Sequence, residues 1–329
     1  MHQPAKTEYS KSNYSISSLE LVKNELERVK KVMDTQLYDC PDRKRHIEVN
    51  HLLESVNHHS GKMIRPGLVL LSGKCFDCIT DVHIKVAACI EMIHNATLLH
   101  DDVIDEGSQR RGKPTINSLW GNESAVLLGD FMLSHVFKLS AKLNPRVTKV
   151  LADAAVRLCE GELAQIVQKD NWEMSESEYI NIITEKSASL FSYSCYLGAI
   201  LANAHEHQAT LFSEFGLNAG IAFQIADDLL DIIGDEKTTG KTIGSDADKH
   251  KPTLAVIHFR RSDLAARHSK SRVTNIPVSE LKKAGSLEYA SIQAQKYVSL
   301  AIGALDSIQQ CNAKSALIET AKFMADRVR

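Results

Sequence analysis

The amino-acid sequence predicts an all-helical protein, and two observations support this prediction. Apolar residues make up 43% of the 329-residue chain, whereas 7 prolines and 16 glycines are few for a protein built from short strands and turns. Apolar residues also recur at three- and four-residue steps, the spacing of an amphipathic helix, while strand-like alternation is hard to find. Long helices around a sizeable core are therefore expected.

Four stretches show the helical spacing most clearly. The first begins at Leu19 and breaks near Pro41, and the others span Val82 to Thr97, Val150 to Val167 and Leu211 to Ala226. No break between them resembles an interdomain linker, and no internal repeat is found. The sequence therefore predicts one domain over residues 19–329, preceded by a polar, flexible tail over residues 1–18. Within the last stretch, Gly216 and Gly220 should allow another backbone to approach closely.

The overall composition excludes several functional classes. A net charge of −2 gives no support to nucleic-acid binding, and no run of about 18 apolar residues predicts a membrane-spanning helix. The polar N-terminus does not resemble a secretory signal, so a cytoplasmic location with reduced thiols is expected for the seven cysteines. Cys75 and Cys78 have CxxC spacing, but no second pair follows to complete a metal site.

Two acidic motifs carry the strongest chemical signal. The pattern DDxxD occurs at Asp101–Asp105 and again at Asp227–Asp231, each time near the C-terminal end of an apolar helix. On a helix the first and last aspartates share a face, and the middle one points about a quarter-turn away. Several carboxylates at the negative end of a helix dipole need compensation. Mg²⁺ suits them, since it accepts one or two carboxylates and completes its shell with water and phosphate oxygens.

Basic residues near these motifs predict sites for anionic substrates. Lys62 and Arg65 are three residues apart, which predicts that they share a helical face, and Arg110 and Arg111 follow the first acidic motif. A third segment, Gly234 to Thr242, invites comparison with a phosphate-binding loop. That interpretation fails because its glycine spacing is one residue too long and it follows a helix instead of a strand.

Taken in order, the motifs resemble the trans-isoprenyl diphosphate synthase family. The resemblance runs from about residue 19 to the end and rests on GKMIRP at 61–66, LLHDDVIDEGSQRRGKPT at 98–115, GDF at 129–131, EGELAQ at 160–165, EKSASLF at 185–191, FQIADDLLD at 223–231, GK at 240–241 and DADKHKPTL at 246–254. It implies an isoprenoid-synthase-type bundle of long antiparallel helices around a central cavity. It also implies a homodimer, with possible peripheral membrane contact when the product is released.

The resemblance also implies a role for each matching residue. Direct Mg²⁺ ligands would be Asp101, Asp105 and Asp227, supported partly through water by Asp102, Asp228 and Asp231. Isopentenyl diphosphate would be held by Lys62, Arg65, His94 and Arg111. The residues that contact the allylic diphosphate or stabilise the forming cation would be Arg110, Lys186, Gln224, Lys241 and Lys251. From its position alone, His94 would instead be interpreted as a hydrogen-bonded core histidine.

Three positions depart from the pattern of the family. Met63 stands where a second arginine is usual, His250 where glycine is usual, and Ala255 where proline is usual. No metal ligand is lost by these departures. Met63 and His250 are the ones that bear on substrate affinity and loop closure.

The implied reaction ionises an allylic diphosphate, joins it to isopentenyl diphosphate and then loses a proton. The product should grow along the helix that precedes Asp101, from Asp101 toward the N-terminus of that helix. It would pass the small residues Thr97 and Ala96 first and then reach Ile93. This predicts a product of C20 or longer, of the quinone side-chain type.

Two alternative functions are a class I terpene cyclase and a non-catalytic partner subunit of a heteromeric synthase. A class I terpene cyclase typically has a different second metal motif and needs no isopentenyl site, while a non-catalytic partner subunit would be expected to lose metal ligands.

Overall fold

A computed structural model describes residues 17–38, 49–53, 61–110, 112–234, 251–262 and 276–326 of the chain. Three residues with predicted roles or effects, Arg111, Lys241 and His250, lie outside these ranges, as do residues 1–16 of the predicted tail. The flexible tail and the single domain over residues 19–329 stay predictions.

Helices make up 79% of the described residues and almost no sheet is present among them, which confirms the predicted all-helical fold. A 3₁₀ helix, Ser17–Val22, leads into the first α-helix, and residues 49–53 are also helical. The α-helices are α1 Lys23–Leu37, α2 Ile64–Lys74, α3 Asp81–Ile104, α4 Ile116–Trp120, α5 Asn122–Ser140, α6 Pro145–Val167, α7 Glu176–Ile183, α8 Ser189–Leu201, α9 Glu206–Ile233, α10 Leu254–Arg260, α11 Val278–Lys283, α12 Ser286–Ala304 and α13 Asn312–Ala325.

Two local irregularities lie next to the predicted site. One π-helical turn, Thr184–Ala188, joins α7 to α8, and such turns are common at functional sites. The loop after α3 contains an antiparallel pair of two-residue strands, β1 Gln109–Arg110 and β2 Lys113–Pro114. The strand pair is too short to show in the apolar pattern, because only four residues take part.

Helix starts follow ordinary capping chemistry. Asn144 caps α6 by accepting a hydrogen bond from the backbone N–H of Arg146 at 2.9 Å, with Pro145 as the first helical residue. Ser175 and Glu178 form a reciprocal capping box at the start of α7. These caps define the starts of α6 and α7, the two helices that pack against the π-helical turn.

The core lies where the longest helices pack together. Helix α9 packs along α8 and α12, α3 packs along α5, and α2 packs against α8. Phe191, Phe212 and Phe215 are fully buried at the α8–α9 contact. The predicted close approach at Gly216 and Gly220 is confirmed, because a Cβ on Gly216 would lie 2.8 Å from the carbonyl carbon of Phe191, and one on Gly220 would lie 2.7 Å from Cα of Ala188.

One sequence-based expectation about the cations is wrong. Lys62 and Arg65 do not share a helical face, since α2 begins at Ile64 and Lys62 precedes it. The residue between them, Met63, has a left-handed backbone with φ 54°. This conformation is uncommon for a residue other than glycine. Because the backbone changes direction at Met63, Lys62 does not continue the helical path that carries Arg65.

None of the helices in the described ranges has both the length and the apolar character that crossing a membrane would require.

Candidate active site

The first acidic motif closes α3, and its three carboxylates have different environments. Asp101 and Asp105 are half-buried and lie one turn apart, and the backbone N–H of Asp105 donates to the carbonyl of Asp101 at 2.8 Å. Asp102 is buried, with 6% of its surface exposed. The quarter-turn offset predicted for the middle aspartate therefore takes it into the protein, away from the outer pair.

Asp101 lies in a strongly charged environment. Burial raises the pKa of its carboxyl, Lys186 opposes this shift, and the like charge of Asp105 adds to it. A carboxylate that is costly to ionise beside another carboxylate is suited to a divalent cation, whose charge would relieve both penalties. The outer pair therefore has the electrostatic character of a metal site.

Asp102 is anchored by Arg110. The guanidinium donates to Asp102 through Nε at 2.8 and 3.1 Å and through a second nitrogen at 2.8 Å. The side chains are 23% and 9% exposed. In the described structure Arg110 thus holds the motif in place, a different role from the predicted contact with the allylic diphosphate, which stays a prediction.

The Arg110→Ala substitution is expected to lower the free energy of unfolding by about 3–5 kcal/mol, because it leaves the buried Asp102 carboxylate without its partner. Chemical denaturation measures this change. The matched control is Arg146→Ala, which breaks an ion pair between two exposed side chains, Arg146 and Glu206, and should leave stability nearly unchanged. Equal effects of the two substitutions would contradict the assigned anchoring role.

The second acidic motif repeats this division of roles near the end of α9. Asp227 and Asp231 are half-buried, whereas Asp228 is 9% exposed. Asp228 accepts hydrogen bonds from the Tyr179 hydroxyl at 2.6 Å and from the Gln224 side-chain amide at 2.7 Å. In this structure Gln224 therefore bonds to the motif itself. Its predicted contact with the allylic diphosphate stays a prediction.

Two lysines reach the first motif from other parts of the chain. Lys186, on the π-helical turn, donates to Glu162 and Gln165 of α6 at 2.8 Å each. Burial lowers the pKa of Lys186, but the charges of Asp101 and Glu162 outweigh burial and hold the pKa above its usual value. Lys251 donates to both oxygens of Asp105 at 2.8 Å. The predicted residues Asp101, Asp105, Lys186 and Lys251 are thus brought together.

A second cationic set lies where the start of α2 meets α3, two turns before the first acidic motif. Arg65 contacts His94 at 3.0 Å between its guanidinium and the ring Nε2, and its guanidinium carbon stacks 4.2 Å from the centroid of the Phe191 ring. The Lys62 ammonium lies 5.0 Å from the centroid of Phe323. The structure therefore brings Arg65 and His94 into contact, and His94 is half-buried beside a cation instead of sitting in the apolar core.

The predicted chain-length residues are closely packed. Ala96 is fully buried in a cluster with Leu128 and Met132 of α5, and Ile93 is 2% exposed. Thr97 is half-buried and donates to the carbonyl of His94 at 2.8 Å. A cavity of about 240 Å³ lies on a different flank of α3, where its wall includes Met63, Asn95 and Leu98. It does not adjoin the flank that carries Ile93 and Thr97.

Three residues at this site have a structural role that the sequence did not predict. Glu162 and Gln165, which hold Lys186, lie in the EGELAQ motif, but the motif itself does not indicate this contact. From the sequence, Tyr179 would be interpreted as an ordinary apolar position of an amphipathic helix. No local pattern indicates that its hydroxyl contacts Asp228, which is 49 residues away in the chain. Only the tertiary contact shows its role.

Comparison with known proteins decides the family. The sequence profile of the polyprenyl synthetase family matches residues 46–291 of the chain. The chain belongs to the polyprenyl synthetase family. This confirms the resemblance to trans-isoprenyl diphosphate synthases and identifies this polyprenyl synthase as a prenyltransferase.

Three relatives illustrate the match. The chain is 35% identical to heptaprenyl diphosphate synthase component 2 of Bacillus subtilis (strain 168), over 84% of this chain and 81% of that one. It is 34% identical to octaprenyl diphosphate synthase of Escherichia coli (strain K12), over 85% and 90% of the two chains. The crystal structure of a polyprenyl synthase from Caulobacter crescentus CB15, complexed with calcium and isoprenyl diphosphate, is 29% identical, with a TM-score of 0.86 and coverage of 96% and 98%.

Proposed function

We propose that this polyprenyl synthase uses Mg²⁺ to condense isopentenyl diphosphate with an allylic diphosphate into an all-trans product of C20 or longer. The observation that carries this proposal is the position of the π-helical turn. Lys186 of this turn lies close enough to Asp101 of the first acidic motif for the two charges to interact, and the next residue, Ser187, donates to Gln224 beside the second motif at 2.6 Å. One turn of backbone thus links the networks of both motifs.

The donor set suits Mg²⁺. The outer aspartates of each motif are half-buried carboxylates one turn apart, and Mg²⁺ needs only one or two such ligands, with water and phosphate oxygens completing its shell. The described residues bring no three His, Cys, Asp or Glu side chains together as a complete metal cage, and a site shared with a diphosphate needs none. Bound there, Mg²⁺ would supply charge neutralisation for the leaving diphosphate. The calcium and isoprenyl diphosphate in the Caulobacter structure support a divalent cation.

The lysines of the first motif provide the remaining positive charge. Lys186 is held in place by Glu162 and Gln165, so its ammonium group is oriented before a substrate arrives. Lys251 pairs with Asp105, and a cation that binds Asp105 would release Lys251 to contact phosphate oxygens. Such preorganised charges stabilise a diphosphate as it departs, which is the step that generates the allylic cation.

The second substrate is assigned to the Arg65 set. Arg65, oriented by His94 and Phe191, would bind the diphosphate of isopentenyl diphosphate, with Lys62 adding a further positive charge. His94 precedes Asp101 by seven residues, two turns along α3, or about 10 Å. This separation lets the double bond of one substrate approach the allylic carbon of the other. The aromatic rings of Phe191 and Phe223, 5.4 Å apart, would help to exclude water.

The direct test is a condensation assay. Purified protein is incubated with Mg²⁺, isopentenyl diphosphate and each allylic primer in turn, and the products are sized by chromatography after dephosphorylation. We expect products of C20 or longer with at least one primer and none when Mg²⁺ is chelated. Absence of product with every primer would favour the alternative of a non-catalytic partner subunit.

Product length is proposed to depend on the small residues before Asp101. The Ala96→Phe substitution should shorten the product, but Ala96 is fully buried, so a larger side chain should also cost about 1–3 kcal/mol of stability. Thr97→Phe is the companion variant, since Thr97 is half-buried on the flank that leads to Asp101. Chromatography of the products measures the change. Thr97→Ser, which keeps the hydroxyl, should leave product length unaltered, and unchanged products from both phenylalanine variants would contradict the assignment.

Assembly as a homodimer is also proposed. Large apolar side chains are exposed on consecutive helices α4 to α6, among them Leu119, Leu127, Phe137 and Leu163 with 55–67% of their surface exposed. Such a surface is typical of a protein interface. The alternative is a heteromeric enzyme, because one relative is named component 2 of a heptaprenyl diphosphate synthase. Cytoplasmic location and peripheral membrane contact during product release stay predictions.

A further inference from the structure

A chain of buried hydrogen bonds connects α7, α9 and the π-helical turn. The Tyr179 hydroxyl donates to one oxygen of Asp228 at 2.6 Å, and the amide nitrogen of Gln224 donates to the other at 2.7 Å. The Ser187 hydroxyl donates to the amide oxygen of Gln224 at 2.6 Å. Tyr179, Asp228 and Ser187 are 3%, 9% and 8% exposed, and Gln224 is half-buried.

The order of donors and acceptors fixes each side chain. Gln224 and Asp228 are four residues apart on α9, so they lie on one face and meet without strain. Because the amide oxygen accepts from Ser187 while its nitrogen donates to Asp228, only one orientation of the Gln224 amide satisfies both neighbours. Short hydrogen bonds to a carboxylate inside a protein are among the stronger ones. Asp228 is therefore held firmly toward the interior.

The position of Asp228 determines where its neighbours point. Successive residues of a helix are rotated by about 100°, so a fixed inward direction for Asp228 also fixes the rotation of Asp227 and Asp231. These are the outer carboxylates of the second motif. At its other end, the chain of hydrogen bonds reaches Ser187, and the charge of the neighbouring Lys186 interacts with those of Asp101 and Asp105 in the first motif.

We propose that Tyr179 is a positioning residue for the second acidic motif: by holding Asp228 inward, its hydroxyl sets the direction of Asp227 and Asp231 and so their affinity for a divalent cation with diphosphate. The proposal rests on the metal-binding role given above to that motif. It assigns Asp228 the role of an anchor, matching that of Asp102 in the first motif. The Arg110 guanidinium donates to Asp102, and the Tyr179 hydroxyl and the Gln224 amide donate to Asp228.

The test is Tyr179→Phe, which removes one oxygen atom and keeps the buried ring. Binding of Mn²⁺ in the presence of inorganic diphosphate is measured by electron paramagnetic resonance, so the readout does not depend on turnover. Groups that orient metal ligands typically contribute about 10–100-fold to metal affinity, and we expect a Kd for Mn²⁺ raised by about tenfold. In the condensation assay the Mg²⁺ concentration for half-maximal rate should rise in parallel, with an unchanged KM for isopentenyl diphosphate.

The matched control is Tyr289→Phe. The Tyr289 hydroxyl also donates to a carboxylate, that of Glu176 at 2.7 Å, but this pair lies outside the described site. The Tyr289→Phe substitution should leave the Kd for Mn²⁺ unchanged. An unchanged Kd in Tyr179→Phe, or an equal rise in both variants, would overturn the proposal.

A second variant keeps the proposal testable if Tyr179→Phe fails to fold. Ser187→Ala removes the hydroxyl at the opposite end of the hydrogen-bond chain and should raise the Kd for Mn²⁺ in the same direction, by a smaller factor. A Kd equal to that of the wild-type protein would overturn the proposal. If the wild-type protein binds Mn²⁺ with diphosphate but forms no prenyl product, the proposed function fails while the positioning role of Tyr179 stands.

Discussion

Replacing Asp101 by asparagine is expected to lower kcat by about 1000-fold while leaving the fold intact. Asp101 lies at the centre of the charged cluster of the first motif, and asparagine keeps its shape but removes the negative charge that a divalent cation needs. The loss of one preorganised electrostatic group costs about 100–1000-fold in other enzymes, and loss of a metal ligand should lie at the upper end. Steady-state kinetics at saturating substrates measures the change, with circular dichroism to verify folding.

Asp153→Asn is the matched control for this substitution. Asp153 lies on α6 and pairs with Lys149 on the protein surface, with 46% of its side chain exposed. The kcat of the Asp153→Asn variant should equal that of the wild-type protein. A kcat for Asp101→Asn within about tenfold of wild type would contradict the role of Asp101, since the remaining aspartates would then suffice for catalysis.

The Gly161→Ala substitution is expected to destabilise the protein by about 3 kcal/mol and to lower activity as well. A Cβ at residue 161 would lie 2.6 Å from Cα of Lys186 and 2.7 Å from the carbonyl carbon of Glu185, and both are backbone atoms that cannot rotate away. Either α6 or the π-helical turn must move. Because the turn carries Lys186 and Ser187, this movement should disturb both acidic motifs. Thermal unfolding and kcat measure the two effects.

Gly303→Ala is the control for this substitution. Gly303 is exposed near the end of α12, and a Cβ there meets nothing within 4 Å. Alanine should stabilise the helix by about 0.5–1 kcal/mol, because glycine has more backbone freedom to lose on folding. Similar unfolding temperatures for the two alanine variants would show that the close approach of α6 to the π-helical turn has no energetic consequence.

The sequence predicts the helical fold and the placement of the outer aspartates one turn apart, because both are local features. Apolar spacing defines helices such as α3 and α9, and the spacing within each DDxxD motif places its outer carboxylates on one face whatever surrounds the helix. The same local geometry also predicts the different direction of Asp102 and Asp228. It does not reveal which groups these two aspartates meet, since Arg110 and Tyr179 reach them through a turn and through tertiary packing.

Features that depend on backbone irregularity were not predictable. Lys62 and Arg65 have helical spacing, yet Met63 adopts a left-handed conformation and the helix begins only at Ile64. The π-helical turn at Thr184–Ala188 leaves no signature in apolar periodicity, because five residues are too few to shift the pattern detectably. This turn nevertheless determines that Lys186 and Ser187 serve different motifs.

We propose that the two acidic motifs bind a diphosphate through divalent cations. Isothermal titration of inorganic diphosphate into the wild-type protein, with Mg²⁺ and then with a chelator, measures this binding. We expect binding in Mg²⁺, none in the chelator, and loss of binding in the double variant Asp101→Asn and Asp227→Asn. Equal affinity with and without Mg²⁺, or unaltered affinity in the double variant, would contradict the claim.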